Sequence, residues 1–135
     1  MKKIIRVSVL IFIVTMVVST FKVYALHQVG VTNVTVPRLK GIVNAAKSAK
    51  EKDTMQRFQT VTSRNNSSGE DEVIEVRTYN DENGKYSEFI PAKKDTTVTI
   101  PNGYNTTIGV TYILHARNTQ QRLATVHFSG VWIID

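Results

Sequence analysis

The sequence predicts an all-β protein, an antiparallel β-sandwich of about seven or eight short strands. Apolar and polar side chains alternate over residues 108–115 and 124–134, which is the period of a strand with one buried face. Turn-forming residues recur about every ten residues, a spacing typical of antiparallel sandwiches. No helical repeat and no linker between two domains is present in the 135 residues. These observations together predict one β domain.

The two C-terminal runs are the expected centre of the core. A polar break at 118–121 separates 108–115 from 124–134, so the two runs predict a hairpin. Trp132, the only tryptophan, falls on the apolar side of the second run. Gly130 falls on the same side and interrupts its series of apolar side chains. A glycine inside a strand pattern indicates a bulge or a close backbone approach.

Residues 1–25 have the pattern of a secretory signal peptide. A basic start at 1–6 precedes an apolar run at 7–18, and Val23-Tyr24-Ala25 is a small-residue cleavage pattern. The alternative is an uncleaved membrane anchor, the one membrane contact that the sequence suggests. Because a membrane span needs roughly 20 apolar residues, cleavage is favoured. We therefore expect a secreted domain over 26–135.

Charge and cysteine content exclude several classes of function. The net charge of the whole chain is +6, but four of its 17 basic residues lie in the leader and all 11 acidic residues follow it. The secreted domain is therefore near +2 and its basic residues are scattered, which argues against a nucleic-acid partner. The chain has no cysteine, so disulfides, thiolate metal sites and cysteine nucleophiles are excluded. No pattern indicates a cofactor.

The remaining strands follow from β-forming runs between turn signals. Thr32–Val36 is the expected first strand and ends at Pro37, which cannot donate to a ladder. Segment 42–53 is either a short helix, because it is rich in Ala and Lys, or an extended edge segment, which we favour. Asn83-Gly84 predicts a type I′ hairpin turn. Further strands are expected at 55–63, 72–79, 86–90 and 96–100, with a polar loop at 64–71.

The histidines and acids offer weak metal patterns. His27, His115 and His127 have no metal-binding spacing, so surface or partly packed histidines are the better interpretation. An acidic cluster could hold calcium, but the D-x-D-x-D-G loop of such sites is missing, which favours solvent-facing carboxylates. The cluster consists of Glu70, Asp71, Glu72, Glu75, Asp81 and Glu82.

The case for an enzyme is weak on sequence. No Gly-x-Ser-x-Gly elbow and no phosphate-binding glycine loop is present. The alternative function that we keep is a small hydrolase of cell-wall glycan using two carboxylates, with Glu72, Glu75 and Glu88 as its pool.

Tyrosines that flank turns are the candidate binding residues. Tyr112 alternates with core positions, whereas Tyr86 and Tyr104 lie beside turns and are expected to be exposed. Exposed aromatic rings can stack on sugars or peptides. Tyr86 and Tyr104 are therefore our predicted contact surface for a cell-surface or extracellular partner of unknown identity.

A resemblance to known proteins rests on three features: the Lys-Lys leader, the sequence Thr-Val-Pro-Arg-Leu-Lys-Gly at 35–41, and a closing run. The closing run consists of Ala-Arg-Asn at 116–118 and Val-His-Phe-Ser-Gly-Val-Trp-Ile-Ile-Asp at 126–135. With these features the chain resembles small exported β-rich proteins of Gram-positive bacteria. It is also distantly similar to small secreted bacteriocins with a β-sandwich fold, although their paired-glycine and tryptophan start is missing. The resemblance implies a secreted, non-enzymatic module. Our leading hypothesis, which rests on the cleavable leader, the β pattern without cysteine and the lack of a catalytic set, is a secreted or cell-surface protein that works by binding, with competition between bacteria as one role to test.

Overall fold

The computed structural model describes residues 27–51, 55–101, 108–119 and 123–134, and all regular structure within them is β. Eight strands are present in these residues: β1 (Gln28–Val36), β2 (Val43–Ala49), β3 (Arg57–Asn65), β4 (Ile74–Asn80), β5 (Ile90–Ala92), β6 (Thr96–Thr99), β7 (Thr111–Asn118) and β8 (Val126–Ile133). They form two four-stranded antiparallel sheets. Sheet A has the order β1-β8-β3-β6, and sheet B has the order β2-β7-β4-β5.

The chain alternates between the two sheets in the manner of a jelly roll. The first four strands enter sheets A, B, A and B in turn, and the last four enter sheets B, A, B and A, so that β7 and β8 insert between earlier strands. This confirms the predicted all-β fold with two packed antiparallel sheets. The predicted leader at 1–25 lies outside the described residues. Within the described residues, no helix is long and apolar enough to cross a membrane.

The predicted hairpin between the two C-terminal runs is wrong. β7 lies in sheet B between β2 and β4, and β8 lies in sheet A between β1 and β3. The connection between them therefore crosses from one sheet to the other. Period-two alternation identifies the buried face of a strand but not its partner, so both topologies satisfy the same pattern. Both strands are nevertheless central in their sheets.

The core lies between the sheets and is built around β8, as predicted. The side chains of Trp132 and Tyr112 are fully buried. Phe58 and Phe128 meet edge to face, with ring centroids 6.0 Å apart and an interplanar angle of 76°, an arrangement that aromatic pairs prefer. The indole N–H of Trp132 donates to the side-chain oxygen of Gln56 at 3.2 Å. The one polar group of the tryptophan is thus satisfied inside the core.

Two bulges flank the middle of β8. The register shifts between Val31 and Val34 in β1 and again between Thr60 and Thr62 in β3, both opposite Gly130 or its neighbour. A Cβ at Gly130 would lie only 2.4 Å from the carbonyl oxygen of residue 59. The close approach expected at this glycine is therefore confirmed, and the bulges occur in the partner strands.

Segment 43–49 is extended, as favoured, and forms the edge strand β2 of sheet B. The first strand begins earlier than predicted, at Gln28. The hairpin between β4 and β5 is confirmed, but its turn is not type I′. Gly84 has a φ of +70°, whereas Asn83 is not among the residues with positive φ, and type I′ requires both. The returning strand, predicted at 86–90, begins only at Ile90 and includes Pro91, which an edge strand tolerates. Before it, Tyr86 forms an isolated bridge with Tyr79.

Candidate functional site: two outer faces of the sandwich

The ladder registers divide each sheet into an inner and an outer face. In β4 the residues at 74, 76, 78 and 80 are buried, so 75, 77 and 79 point outward. In β7 the outward positions are 113, 115 and 117. Because Glu75 pairs with Arg117, Arg77 with His115 and Tyr79 with Ile113, these side chains form adjacent rows on the outside of sheet B.

The outer face of sheet B carries a cluster of rings and guanidinium groups. We call it the aromatic–arginine face; it consists of Arg77, Tyr79, Tyr86, Phe89, His115 and Arg117. The Cζ atom of Arg77 lies 4.0 Å from the ring centroid of Tyr86 and 4.3 Å from that of Phe89. Arg117 covers Phe89 as well, at 3.8 Å. These distances are within the range of cation–π interactions.

The two arginines of this face differ in their counter-ions. Arg117 donates from Nε to a carboxylate oxygen of Glu75 at 2.5 Å. Arg77 donates from Nε to Nδ1 of His115 at 3.3 Å, and it makes no ion pair with any residue that the structure describes. Partial burial lowers the pKa of Arg77, while Tyr86 raises it and Arg117 lowers it further. An arginine stays protonated in spite of such a shift. Arg77 is thus a half-buried cation that has no carboxylate partner in the described part of the chain.

His115 supports Arg77 as a neutral acceptor. Its ring stacks on Tyr79 with centroids 5.4 Å apart and an interplanar angle of 15°. Burial lowers the pKa of His115, and the neighbouring charge of Arg77 lowers it further. The neutral ring can accept the hydrogen bond from Arg77, whereas a protonated ring could only donate.

The outer face of sheet A has a different feature, an open groove of about 390 Å³. It is lined by Asn33, Thr62, Arg64 and His127, which we call the polar groove. Thr62 and Arg64 lie on β3, Asn33 lies in the β1 bulge and His127 lies on β8 between them. The groove therefore follows the place where the two bulges flank β8.

Tyr86 lies on the aromatic–arginine face with 56% of its surface exposed. Its role in binding stays a prediction. Tyr104, the other predicted contact residue, lies outside the described residues.

The three histidines are separated and have different partners. His27 makes an ion-pair contact with Glu51 at 3.1 Å, His115 contacts Arg77, and Nδ1 of His127 is 2.9 Å from the hydroxyl of Thr35. Within the described ranges, no three His, Asp or Glu side chains are placed to hold a metal ion.

The acidic residues also have separate contacts. Glu75 pairs with Arg117, Glu72 accepts a hydrogen bond from the side chain of Asn65 at 3.2 Å, and Glu88 is exposed. Asp71 and Asp81 contact Lys94 and Lys47 at 3.3 and 2.8 Å. The paired-carboxylate hydrolase stays a prediction that no contact among these residues favours.

Sequence reasoning missed the two arginines and Phe89. Arg77 and Arg117 occupy the polar, outward positions of strands with alternating polarity, where charged side chains usually face water. These residues come together because β4 pairs with β7 and β5, and the periodicity of the sequence does not reveal which strands pair.

Comparisons with family models, with curated proteins and with solved structures found no match for this chain.

Proposed function

We propose that this chain is a secreted or cell-surface binding protein without catalytic activity, which contacts an acidic segment of an extracellular partner through the aromatic–arginine face. One observation supports this most directly. Arg77 is a half-buried cation that lies over two aromatic rings and has no carboxylate partner among the described residues.

The chemistry of Arg77 favours an acidic partner. A guanidinium group presents its donors in a planar fork that matches a carboxylate. Because Nε is already used by His115, the terminal nitrogens are the donors that a partner would meet. The stacked rings hold the guanidinium in place before binding, which lowers the entropy cost of forming charge-assisted hydrogen bonds.

Tyr86 extends the same surface toward solvent. Tyrosine and arginine are enriched among the residues that carry most of the binding energy of protein interfaces. Tyr86 is more than half exposed while the other members of the face are half-buried. The face thus has a fixed cationic centre beside an accessible ring. A purely structural role, in which the rings only cover the β4–β5 hairpin, makes a different prediction: loss of Tyr86 would change stability instead of binding.

Co-sedimentation with intact Gram-positive cells tests this proposal. Protein comprising residues 26–135 is measured at low and high salt, together with Tyr86→Ala and Arg77→Gln. Arg57→Gln is the matched control, since Arg57 lies on the outer face of sheet A. We expect saturable binding that weakens about tenfold or more in both variants, as for residues that dominate an interface, and stays unchanged in the control. The thermal unfolding midpoint of Tyr86→Ala should remain close to that of the parent protein.

Several outcomes would contradict the proposal. Equal weakening by Arg57→Gln would indicate attraction by net charge alone. Unchanged binding in Tyr86→Ala, or a large drop in its unfolding midpoint, would leave the face a structural role. Release of reducing ends from purified cell wall would favour the hydrolase. A Tyr104→Ala variant in the same assay tests the second predicted residue, and growth inhibition of the cells tests a role in competition.

A further inference from the structure

We propose that the polar groove of sheet A is a second binding site, which takes a single acidic sugar, meaning a sugar ring that bears a carboxylate or a phosphate. The groove lies on the other sheet from the aromatic–arginine face. This inference therefore goes beyond the proposed function and does not depend on it.

The bulges of β1 and β3 build the concave shape of the groove. In each strand one extra residue interrupts the ladder beside Ser129 and Gly130, and bulges bend a strand and redirect its side chains. Asn33 has a φ of +50°, in the left-handed region that asparagine tolerates better than most residues. Its backbone N–H donates to the hydroxyl of Ser129 at 2.8 Å, which fixes the bulge on β8.

Side-chain hydrogen-bonding groups line this concavity without using all of their capacity. The amide of Asn33 and the hydroxyl of Thr62 have no hydrogen bond to the described residues, so both remain open to a ligand. His127 contacts Thr35 through Nδ1 at 2.9 Å, which orients the ring and leaves Nε2 for another partner. Hydroxyl groups of a sugar both donate and accept, so they match an amide, a hydroxyl and an imidazole nitrogen.

Arg64 gives the groove its charge preference. Arg64 forms an ion pair with Asp71, but its Nε lies 3.9 Å from the carboxylate oxygen, beyond hydrogen-bond distance, and its side chain is 65% exposed. Asp71 is closer to Lys94, at 3.3 Å, which offsets its negative charge. The guanidinium group of Arg64 is therefore available to a carboxylate or phosphate, both of which it can bind with two parallel hydrogen bonds.

The size of the groove limits the ligand to a small one. Small-molecule sites in proteins are about 300–1,000 Å³, and this groove, at about 390 Å³, lies near the lower end. The only ring among the residues that line it is the imidazole of His127, and no Phe, Tyr or Trp side chain is among them. Recognition must therefore come from hydrogen bonds and charge, which distinguishes it from the ring-rich face of sheet B.

Titration of the purified ¹⁵N-labelled protein, followed by amide chemical shifts, tests the site. The probes are glucuronate and glucose 6-phosphate, with neutral glucose and inorganic phosphate as comparison ligands. Arg64→Gln removes the cation, and Arg57→Gln removes the same charge from the same face of the same strand outside the groove. We expect saturable shifts at residues 33, 62, 64 and 127 with one or both acidic sugars. The apparent Kd should rise about tenfold in Arg64→Gln, the effect of losing a charged hydrogen bond, and less than twofold in Arg57→Gln.

The same titrations contain the results that would overturn the proposal. Equal affinity for inorganic phosphate would show an anion site without sugar recognition, and equal affinity for glucose would remove the role of Arg64. Three further results would each refute the proposal. They are chemical-shift changes spread over the whole surface, equal losses of affinity in both variants, and no saturation by about 10 mM ligand, which is weaker than the mM–μM range of useful sites. Since the readout is confined to sheet A, failure here leaves the cell-binding test of sheet B intact.

Discussion

Sheet A and sheet B cover the same core from opposite sides, but the regularity of their ladders differs. In sheet B, β4 and β7 pair without a shift from Ile74–Asn118 to Asn80–Tyr112. A shift occurs on the other side of β7, between Asn44 and Ala46 of the edge strand β2. β8 in sheet A has a shifted register on both sides. An unbroken ladder brings successive outer side chains into contact, so rings and guanidinium groups stack on sheet B. An interrupted ladder bends the strands, and the outer face of sheet A becomes a groove.

The outward-facing side chains of the two sheets also differ in length. The exposed positions of β1, β3 and β6 are mostly occupied by short or uncharged polar residues, among them Thr35, Gln59, Thr62, Thr97 and Thr99. Long and aromatic side chains fill the outward positions of β4 and β7 in sheet B, namely Glu75, Arg77, Tyr79, Ile113, His115 and Arg117. The comparison teaches that backbone register, as much as composition, decides whether a sheet presents a flat stacked surface or a concave polar one.

The largest effect that we expect is from Trp132→Ala, which removes what both faces share. Trp132 is fully buried between the sheets, and deleting a large core aromatic costs about 3–5 kcal/mol. The free energy of unfolding, measured with denaturant, should fall by that amount, and binding at both faces should be lost together. A loss below about 1 kcal/mol, less than such truncations cost, would contradict a core position. Survival of one face alone would show that the sheets are not one cooperative unit.

Gly130→Ala should have a smaller effect, directed at sheet A. The new Cβ would lie 2.4 Å from a backbone oxygen of β3 and 2.5 Å from the ring of Phe58, so β3 must move. Overpacking of this kind costs about 1–3 kcal/mol. Amide shifts should change around the polar groove more than on β4 and β7.

The chain offers a matched control for that substitution. Gly30 lies on the neighbouring strand β1, and a Cβ there would meet nothing within 4 Å. Gly30→Ala should therefore change the free energy of unfolding by less than about 0.5 kcal/mol, as surface substitutions usually do. If the two variants lost similar stability, the close approach at Gly130 would not be the cause.

The sequence predicted which face of each strand is buried far better than it predicted which strands pair with each other. Alternation placed Tyr112 and Trp132 correctly in the core, because burial on one face is a local property of a strand. It could not show that β7 and β8 belong to different sheets. Whether two successive strands pair depends on whether the connection between them stays in one sheet or crosses to the other, and alternation within the strands does not reveal this. Nor could it locate the bulge at Asn33, which depends on the ladder with β8.

The candidate sites show the same limit more strongly. Tyr86 was singled out correctly as exposed, because it follows a turn signal at Asn83-Gly84. Its contact with Arg77 depends on the pairing of β4 with the chain that returns through Phe89. The polar groove combines residues from three strands that are distant along the chain, and none of them forms a motif. Long-range register, which no single-sequence periodicity encodes, therefore creates both surfaces.

The smallest effect that we predict is a pH dependence that belongs to sheet B. Burial, and then the charge of Arg77, lowers the pKa of His115 below its ordinary value of 6.5. The unfolded chain therefore binds more protons than the folded chain between that lowered pKa and 6.5, and stability rises with pH in this window. The contribution is complete above 6.5 and is lost as pH falls through the lowered pKa.

His115→Gln, which cannot titrate in this range, should flatten the dependence of the unfolding free energy on pH between about 7 and 5, where histidine normally changes charge. Arg77→Gln should flatten it only in part, because burial is the larger cause of the shift. A slope that persists unchanged in His115→Gln would show that the pH-sensitive contact does not lie on sheet B and would break the contrast between the two faces.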